Sequence, residues 1–306
     1  MSARFAAAAL IAASTALAQF PQGGQQPESV RQAQQLLRDG KYAEAEAAYR
    51  KAVADAPDSP QVNNAAGVAF DLMGKSAEAR KFFQTAIDHA ATPAAKANAE
   101  RAMAMSYAFD GDCKNTVKYE QMVIDYWTSS NSPEAAYQAG EMADEAGRVC
   151  IDAGDLDTAE KYYKIGHEEG LKEQNIDPDR AKLWNYRYEH ALARLAARRG
   201  DKAEAEKHVA AAKAILESMD GLKQQQQAFF PYLTGYVAFY TGDYRKALDD
   251  FQKANQNDWF IQCMIGETYE KLGDKEKAME YYRKASKASA HNPPAAYAKR
   301  FTRSRV

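Results

Sequence analysis

The chain of 306 residues predicts an all-α fold, an α-solenoid of about seven helix-turn-helix repeats, and three observations carry that reading. Seven glycines, Gly40, Gly74, Gly111, Gly154, Gly200, Gly242 and Gly273, each close a run of helical period and precede a Lys or an Asp. Seven places before each stands a small residue (Ala33, Gly67, Ala104, Gly147, Ala193, Gly235, Gly266), and five places after stands Ala45, Ala79, Thr116, Ala159, Ala205, Ala247 or Ala278. Nine places after, Tyr49, Phe83, Glu120, Tyr163, Val209, Phe251 and Tyr282 form a bulky column that Glu120 alone breaks. Columns that recur around a fixed turn mark stacked units, each burying its apolar side against the next. Small side chains at the first two columns let two helices approach closely and are expected to face each other across each hairpin.

In chain order the first element is an export signal. Residues 2–18 read SARFAAAALIAASTALA: one basic residue, Arg4, an apolar run from Phe5 to Ala13, then Ala16-Leu17-Ala18 before Gln19. This is the layout of a cleavable secretory signal over residues 1–18, and the run is too short for the roughly 20 residues of a spanning helix. Residues 19–29, QFPQGGQQPES, read as a flexible polar linker. The expected product is an exported protein, periplasmic or extracellular, and a mean hydropathy of -0.62 adds no membrane span.

The repeats follow. The columns resemble the tetratricopeptide repeat, most closely in the last copy, where Ile265-Gly266, Tyr269, Gly273-Asp274, Ala278, Tyr282 and Ala285 all fit, while Pro57 ends the first copy where that family places a proline. The resemblance spans residues 30–292 and implies a helix A and a helix B in each unit, stacked into a right-handed superhelix. The Gly-to-Gly spacings are 34, 37, 43, 46, 42 and 31, against about 34 for the family, so the middle helices or links are longer. Ser132-Pro133-Glu134 and Asp177-Pro178-Asp179 each set a capping residue before a proline at the first helical position, predicting long helices over 133–151 and 178–199. In the third copy, Thr116 and Glu120 leave either Tyr119 or Glu120 in the bulky place. Residues 293–306 form a basic tail with Lys299, Arg300, Arg303 and Arg305 and no acid; it docks on an acidic surface, grips an anionic partner or frays.

Chemical motifs are few. Forty basic residues against 42 acidic ones leave a formal charge of -2, which excludes a nucleic-acid binder by bulk charge. The stretch GVAFDLMGKS ending at Ser76 imitates a phosphate loop but has Ala69 where that loop needs a glycine. His167-Glu168-Glu169 lacks the second histidine of a zinc protease, and His89, His190, His208 and His291 show no ligand spacing and read as surface residues. Glu141, Asp144 and Glu145 read as a solvated helix face. No nucleophile, base and orienting acid cluster, and no cofactor or metal site is expected. Of three cysteines, Cys150 occupies a core position of the fourth helix A. Stacked turns of adjacent copies are neighbours in the family, so Cys113 and Cys150 are the candidate disulfide; three buried thiols are the alternative, because a sequence supplies no Cα separation.

The resemblance also implies a concave wall lined by helices A on which peptides lie. On the sixth helix A, Phe229, Tyr232, Tyr236, Phe239 and Tyr240 form a stripe at helical spacing, and if Gly235 and Ala238 face helix B, then Phe229, Tyr232, Tyr236 and Tyr240 turn toward that wall. The fifth supplies Trp184, Arg187, His190, Arg194 and Arg198, and the seventh Met264 and Glu267. An aromatic ridge beside a basic one suits a protein or peptide segment with acidic and apolar side chains, held by guanidinium contacts and ring stacking. The bland reading is that the rings pack on one another. Function therefore reads as a non-enzymatic interaction scaffold of the cell envelope, with self-assembly through terminal repeats into an oligomer or fibre as the alternative. The family's clamp for C-terminal carboxylates is not supported, because Val30, Gln34 and Ala65 stand near its places.

Overall fold

The computed structural model describes residues 27–306. The expected signal over 1–18 and most of the linker over 19–29 lie outside the described residues. Among these, sixteen helices follow one another. Seven hairpins pair α1 (Glu28–Arg38) with α2 (Tyr42–Asp55), α3 (Pro60–Leu72) with α4 (Ser76–Asp88), α5 (Pro93–Ala108) with α6 (Cys113–Thr128), α7 (Ala135–Ala153) with α8 (Leu156–Gly170), α9 (Pro178–Arg198) with α10 (Lys202–Ser218), α12 (Phe230–Tyr240) with α13 (Tyr244–Lys253), and α14 (Trp259–Lys271) with α15 (Lys275–Ala285). A short α11 (Lys223–Gln227) precedes α12, and α16 (Pro293–Thr302) follows the last pair.

The turn explains its own sequence. All seven turn glycines have φ between 72° and 90°, a left-handed conformation that only glycine adopts without a β-carbon clash. Where the next residue is aspartate, its carboxylate caps helix B: Asp112, Asp155, Asp201, Asp243 and Asp274 each accept a backbone N–H from three residues on. Lys41 and Lys75 stand at the same place without such a cap.

The hairpin seams bring the two small columns together and add a ring to the contact. The small residue before the turn admits the ring nine places after it: a β-carbon at Gly235 would fall 2.8 Å from the Phe251 ring, and Gly67 and Gly266 receive Phe83 and Tyr282 in the same way. In the third hairpin Thr116 is buried and donates its hydroxyl to the Ala104 carbonyl at 3.2 Å. Glu120 does occupy the bulky place and is fully buried, whereas Tyr119 lies half-exposed and stacks on Tyr107 at 5.8 Å. Neither carboxyl oxygen of Glu120 has a hydrogen-bond partner, and burial together with the Glu145 charge pushes its pKa well up.

The two long helices appear, with 19 residues in α7 and 21 in α9. Asp177 caps α9 as expected, accepting the N–H groups of Asp179 and Arg180. α7 starts two residues beyond Pro133, because Ser132 accepts the Glu134 N–H and its carbonyl accepts that of Ala135, which closes a turn before the helix. Cys113, at the start of α6, and Cys150, in α7, form a disulfide with Cα atoms 4.8 Å apart. Cys263 is a buried free thiol.

The end of the chain returns to its beginning. His291 Nε2 meets Asp71 Oδ2 at 2.9 Å across 220 residues, and the Ser106 hydroxyl donates to the other oxygen of that fully buried carboxyl. The His291 ring stacks on Phe109 at 5.3 Å. Beyond it, α16 packs against α14 and α15 and also reaches α5 and α7. Arg300 donates to the Asp152 carbonyl at 3.1 Å and lies against Gly111, and Arg303 approaches Asp110 at 4.0 Å.

Candidate functional site

The wall is built by two columns of helices A, six and two places before each turn glycine. The first runs Gln34, Val68, Met105, Arg148, Arg194, Tyr236 and Glu267; the second runs Arg38, Leu72, Phe109, Asp152, Arg198, Tyr240 and Lys271. Since the residue beside the first column is the small one that admits helix B, these two columns turn to the other side of each hairpin. Arg194, Arg198, Tyr236, Tyr240 and Glu267 belong to it as expected. Arg148 and Asp152 were missed, although the same offsets from Gly154 point to them.

In the middle of the wall these residues interlock. Arg148 pairs with Asp152 at 3.3 Å, and its guanidinium lies 4.4 Å over the Phe260 ring and 5.6 Å over Tyr232. Arg194 donates through Nε to the His190 carbonyl at 3.3 Å and through Nη1 to the Tyr232 hydroxyl at 3.4 Å. Arg198 donates to the hydroxyls of Tyr236 and Tyr240, each at 3.4 Å. Among the described residues, neither Arg194 nor Arg198 has a carboxylate within 4.0 Å, in contrast to Arg187, which pairs with Glu141. Burial raises the Asp152 pKa, while Arg148, Arg194 and Arg198 together pull it back.

Of the two readings of the aromatic stripe, packing describes much of it. Trp184, His190, Arg194, Tyr236 and Met264 are buried, and Tyr236 is completely so. The physical reason is that neighbouring helices A meet: Tyr236 lies 4.6 Å from Tyr240 and stacks toward Phe260, whose ring lies 4.6 Å from that of Tyr297 on α16. Tyr297 in turn donates to Glu267 at 3.0 Å. Trp184 fills the space left by Gly140 and Gly170 and donates its Nε1–H to Glu173 at 2.6 Å. Phe229, Tyr232, Tyr240, Arg187, Arg198 and Glu267 keep partial exposure, so the accessible part of the predicted site is this smaller set.

Two other expectations also change. His190 is not a surface residue: it stacks on Tyr232 at 5.5 Å, and burial, with Arg194 and Arg148 beside it, drives its pKa well below the ordinary value and keeps it neutral. The acidic cluster of α7 is paired rather than merely solvated, Glu141 with Arg187 and Glu145 with Arg101. Burial lifts Asp144 to about 7, and it lifts Glu267 to about 7 as well. No group of three or more His, Cys, Asp or Glu among the described residues is placed to hold a metal ion, and no described helix is long and apolar enough to cross a membrane.

Residues 30–105 and 261–292 each match a tetratricopeptide repeat family. Those two stretches are tetratricopeptide repeats. Repeats of this kind generally mediate protein–protein interactions. No curated protein matches the chain significantly. Among solved structures, a tetratricopeptide repeat protein from Parabacteroides merdae ATCC 43184 is 16% identical with a TM-score of 0.48, over 84% of this chain and 91% of that one. A chain of the APC/C hetero-tetramer Cut9-Hcn1 is 15% identical (TM-score 0.43, 84% of this chain and 45% of that one), and a chain of the human IFIT1 dimer with PPP-AAAA is 19% identical (TM-score 0.40, 84% and 53%). The chain thus spans about half the length of the latter two.

Proposed function

We propose that this protein is a non-enzymatic interaction scaffold of the cell envelope that holds an acidic, partly aromatic or apolar segment of a protein partner against the wall formed by α9, α12 and α14. The observation that carries the reading is the half-buried Arg198, with the buried Arg194 behind it: both bond to tyrosine hydroxyls or a carbonyl at 3.3–3.4 Å, and neither has a carboxylate within 4.0 Å among the described residues. A half-buried cation with no carboxylate in direct contact gains from one, and a partner's carboxylate reaching Arg198 past Tyr240 would supply a charge-assisted bond. The Cys113–Cys150 disulfide supports the exported half of the reading, since disulfides persist in oxidising compartments, and the pattern of residues 1–18 agrees with it.

The test is affinity capture from envelope extract with the chain from Gln19 onward, beside Arg198→Gln, followed by mass spectrometry and sedimentation. A protein held by the wild type and lost from the variant, with unchanged helical circular dichroism, is the expected result. Equal capture by both rejects the wall as the site, and recovery of the chain alone in concentration-dependent oligomers favours self-assembly.

A further inference from the structure

The fold-back of the chain end creates a site whose shape suits a small molecule, away from Arg198 and independent of the wall reading. Between α1, α3 and the segment 286–291 lies a cleft of about 410 Å³, within the range of about 300–1,000 Å³ usual for ligand sites. Its floor is aliphatic, built by Leu37, Val68 and Leu72. Arg38, Lys287 and Lys299 also line it, and no aspartate or glutamate does. None of these three cations has a carboxylate within ion-pair distance among the described residues: Arg38 bonds to Gln35, and Lys299 donates to the Ser286 carbonyl at 3.0 Å. Lys299 is also partly desolvated, which lowers its pKa.

The cleft is closed where a continuous groove would run on. Past Leu72 the next residues of the two columns are Met105 and Phe109, and the chain covers them itself: Ala296 of α16 packs among Met105, Ala108, Phe109 and Val149, a cluster that Leu72 borders. The segment leading into α16 is held by the contact of His291 with Asp71 at 2.9 Å, and His291 lines the cleft too. A peptide laid along helices A has no path into the third unit. Its backbone amides would also meet an aliphatic floor that offers them no partner.

We infer that this cleft binds the anion of a free medium-chain fatty acid, with its alkyl chain over Leu37, Val68 and Leu72 and its carboxylate at Arg38, Lys287 and Lys299. Two features select that occupant. Three cations without an acid call for an anionic head, which charge-assisted bonds reward. The floor calls for a tail with no polar atoms, since each methylene laid on it gains by burial and leaves no hydrogen bond unmade. A fatty acid keeps all its polar atoms at one end, as the cleft does with its cations around an apolar base.

The probes are hexanoate, octanoate and decanoate, with 1-octanol as the uncharged counterpart, titrated into the full chain below their micellar concentrations and followed by calorimetry. A single saturable site is expected, tightening about tenfold for each two-carbon extension. Octanol should bind about tenfold or more weakly than octanoate. Arg38→Gln with Lys287→Gln, two exposed positions, should weaken decanoate by a similar factor and leave octanol unchanged. Arg198→Gln should bind decanoate as the wild type does, so that failure here and failure of the wall reading are told apart. Four results would overturn the inference: no binding of decanoate at about 1 mM, an affinity indifferent to chain length, undiminished decanoate binding in the double variant, or a hexapeptide of Leu and Asp displacing decanoate more effectively than octanoate does, which would make the cleft a peptide site.

Discussion

The two ends of one wall, built from the same two columns of helices A, have opposite characters. In the first two units the columns supply Gln34, Arg38, Val68 and Leu72, which line an open cleft. In the fourth to seventh they supply Arg148, Asp152, Arg194, Arg198, Tyr236, Tyr240 and Glu267, which interlock with one another and with α16. A repeat thus fixes where a side chain points, while the neighbours decide whether it becomes surface or core. The middle of the wall spends its polar groups on itself, and the first units leave theirs unanswered.

The strongest way to break the contrast is at Tyr236. Removing a fully buried ring from the middle is expected to cost about 3–5 kcal/mol, as large-to-small core changes do, whereas Arg38→Gln at the open end should leave the denaturant midpoint nearly unchanged. Equal losses at the two positions, read by urea unfolding, would erase the distinction. Next in size is the disulfide that ties α6 to α7 beside the packed middle. Cys113→Ser with Cys150→Ser should lower stability by about 2–4 kcal/mol, and an unchanged midpoint under oxidising conditions would show that the crosslink constrains nothing there.

The smallest effect is one of pH. Asp144 and Glu267 have folded pKa values of about 7, above the ordinary carboxyl value of about 4. The folded state therefore holds these protons more tightly than the unfolded chain. Their favourable contribution is complete below about pH 4 and is lost as pH rises toward 7. Glu120, whose pKa burial also raises, contributes with the same sign. Glu267→Gln should flatten part of the decline in melting temperature between about pH 4 and 7; an identical slope would mean that the unfolded chain holds that proton equally well.

The hairpins were legible because each column is written seven times, so that a single exception such as Glu120 could not hide the register. The expected approach of the two small columns appears where Thr116 donates to the Ala104 carbonyl, and the offsets left out only that the tyrosine or phenylalanine ring nine places after the turn also fills the space over a glycine. The wall was legible as a set of side chains and not as a state. Whether Tyr236 is open depends on Phe260 in the next unit and, through it, on Tyr297, which belongs to no column. Arg148 stands at the same offset as Arg194, but locally an arginine four residues before an aspartate looks like an ordinary surface pair. The contact of Asp71 with His291 had no local signal at all, since it joins positions 220 apart.

That long contact bears on how the molecule is made. A linear array can complete each unit as soon as the next one is present, so its early hairpins can finish while later ones are still being synthesised. Here the third helix carries a buried acid whose counterpart is among the last residues to arrive. Without His291, Asp71 has only hydroxyl partners. A chain cut short before residue 291 would therefore lack its end and also leave the acid of the second unit without its imidazole partner.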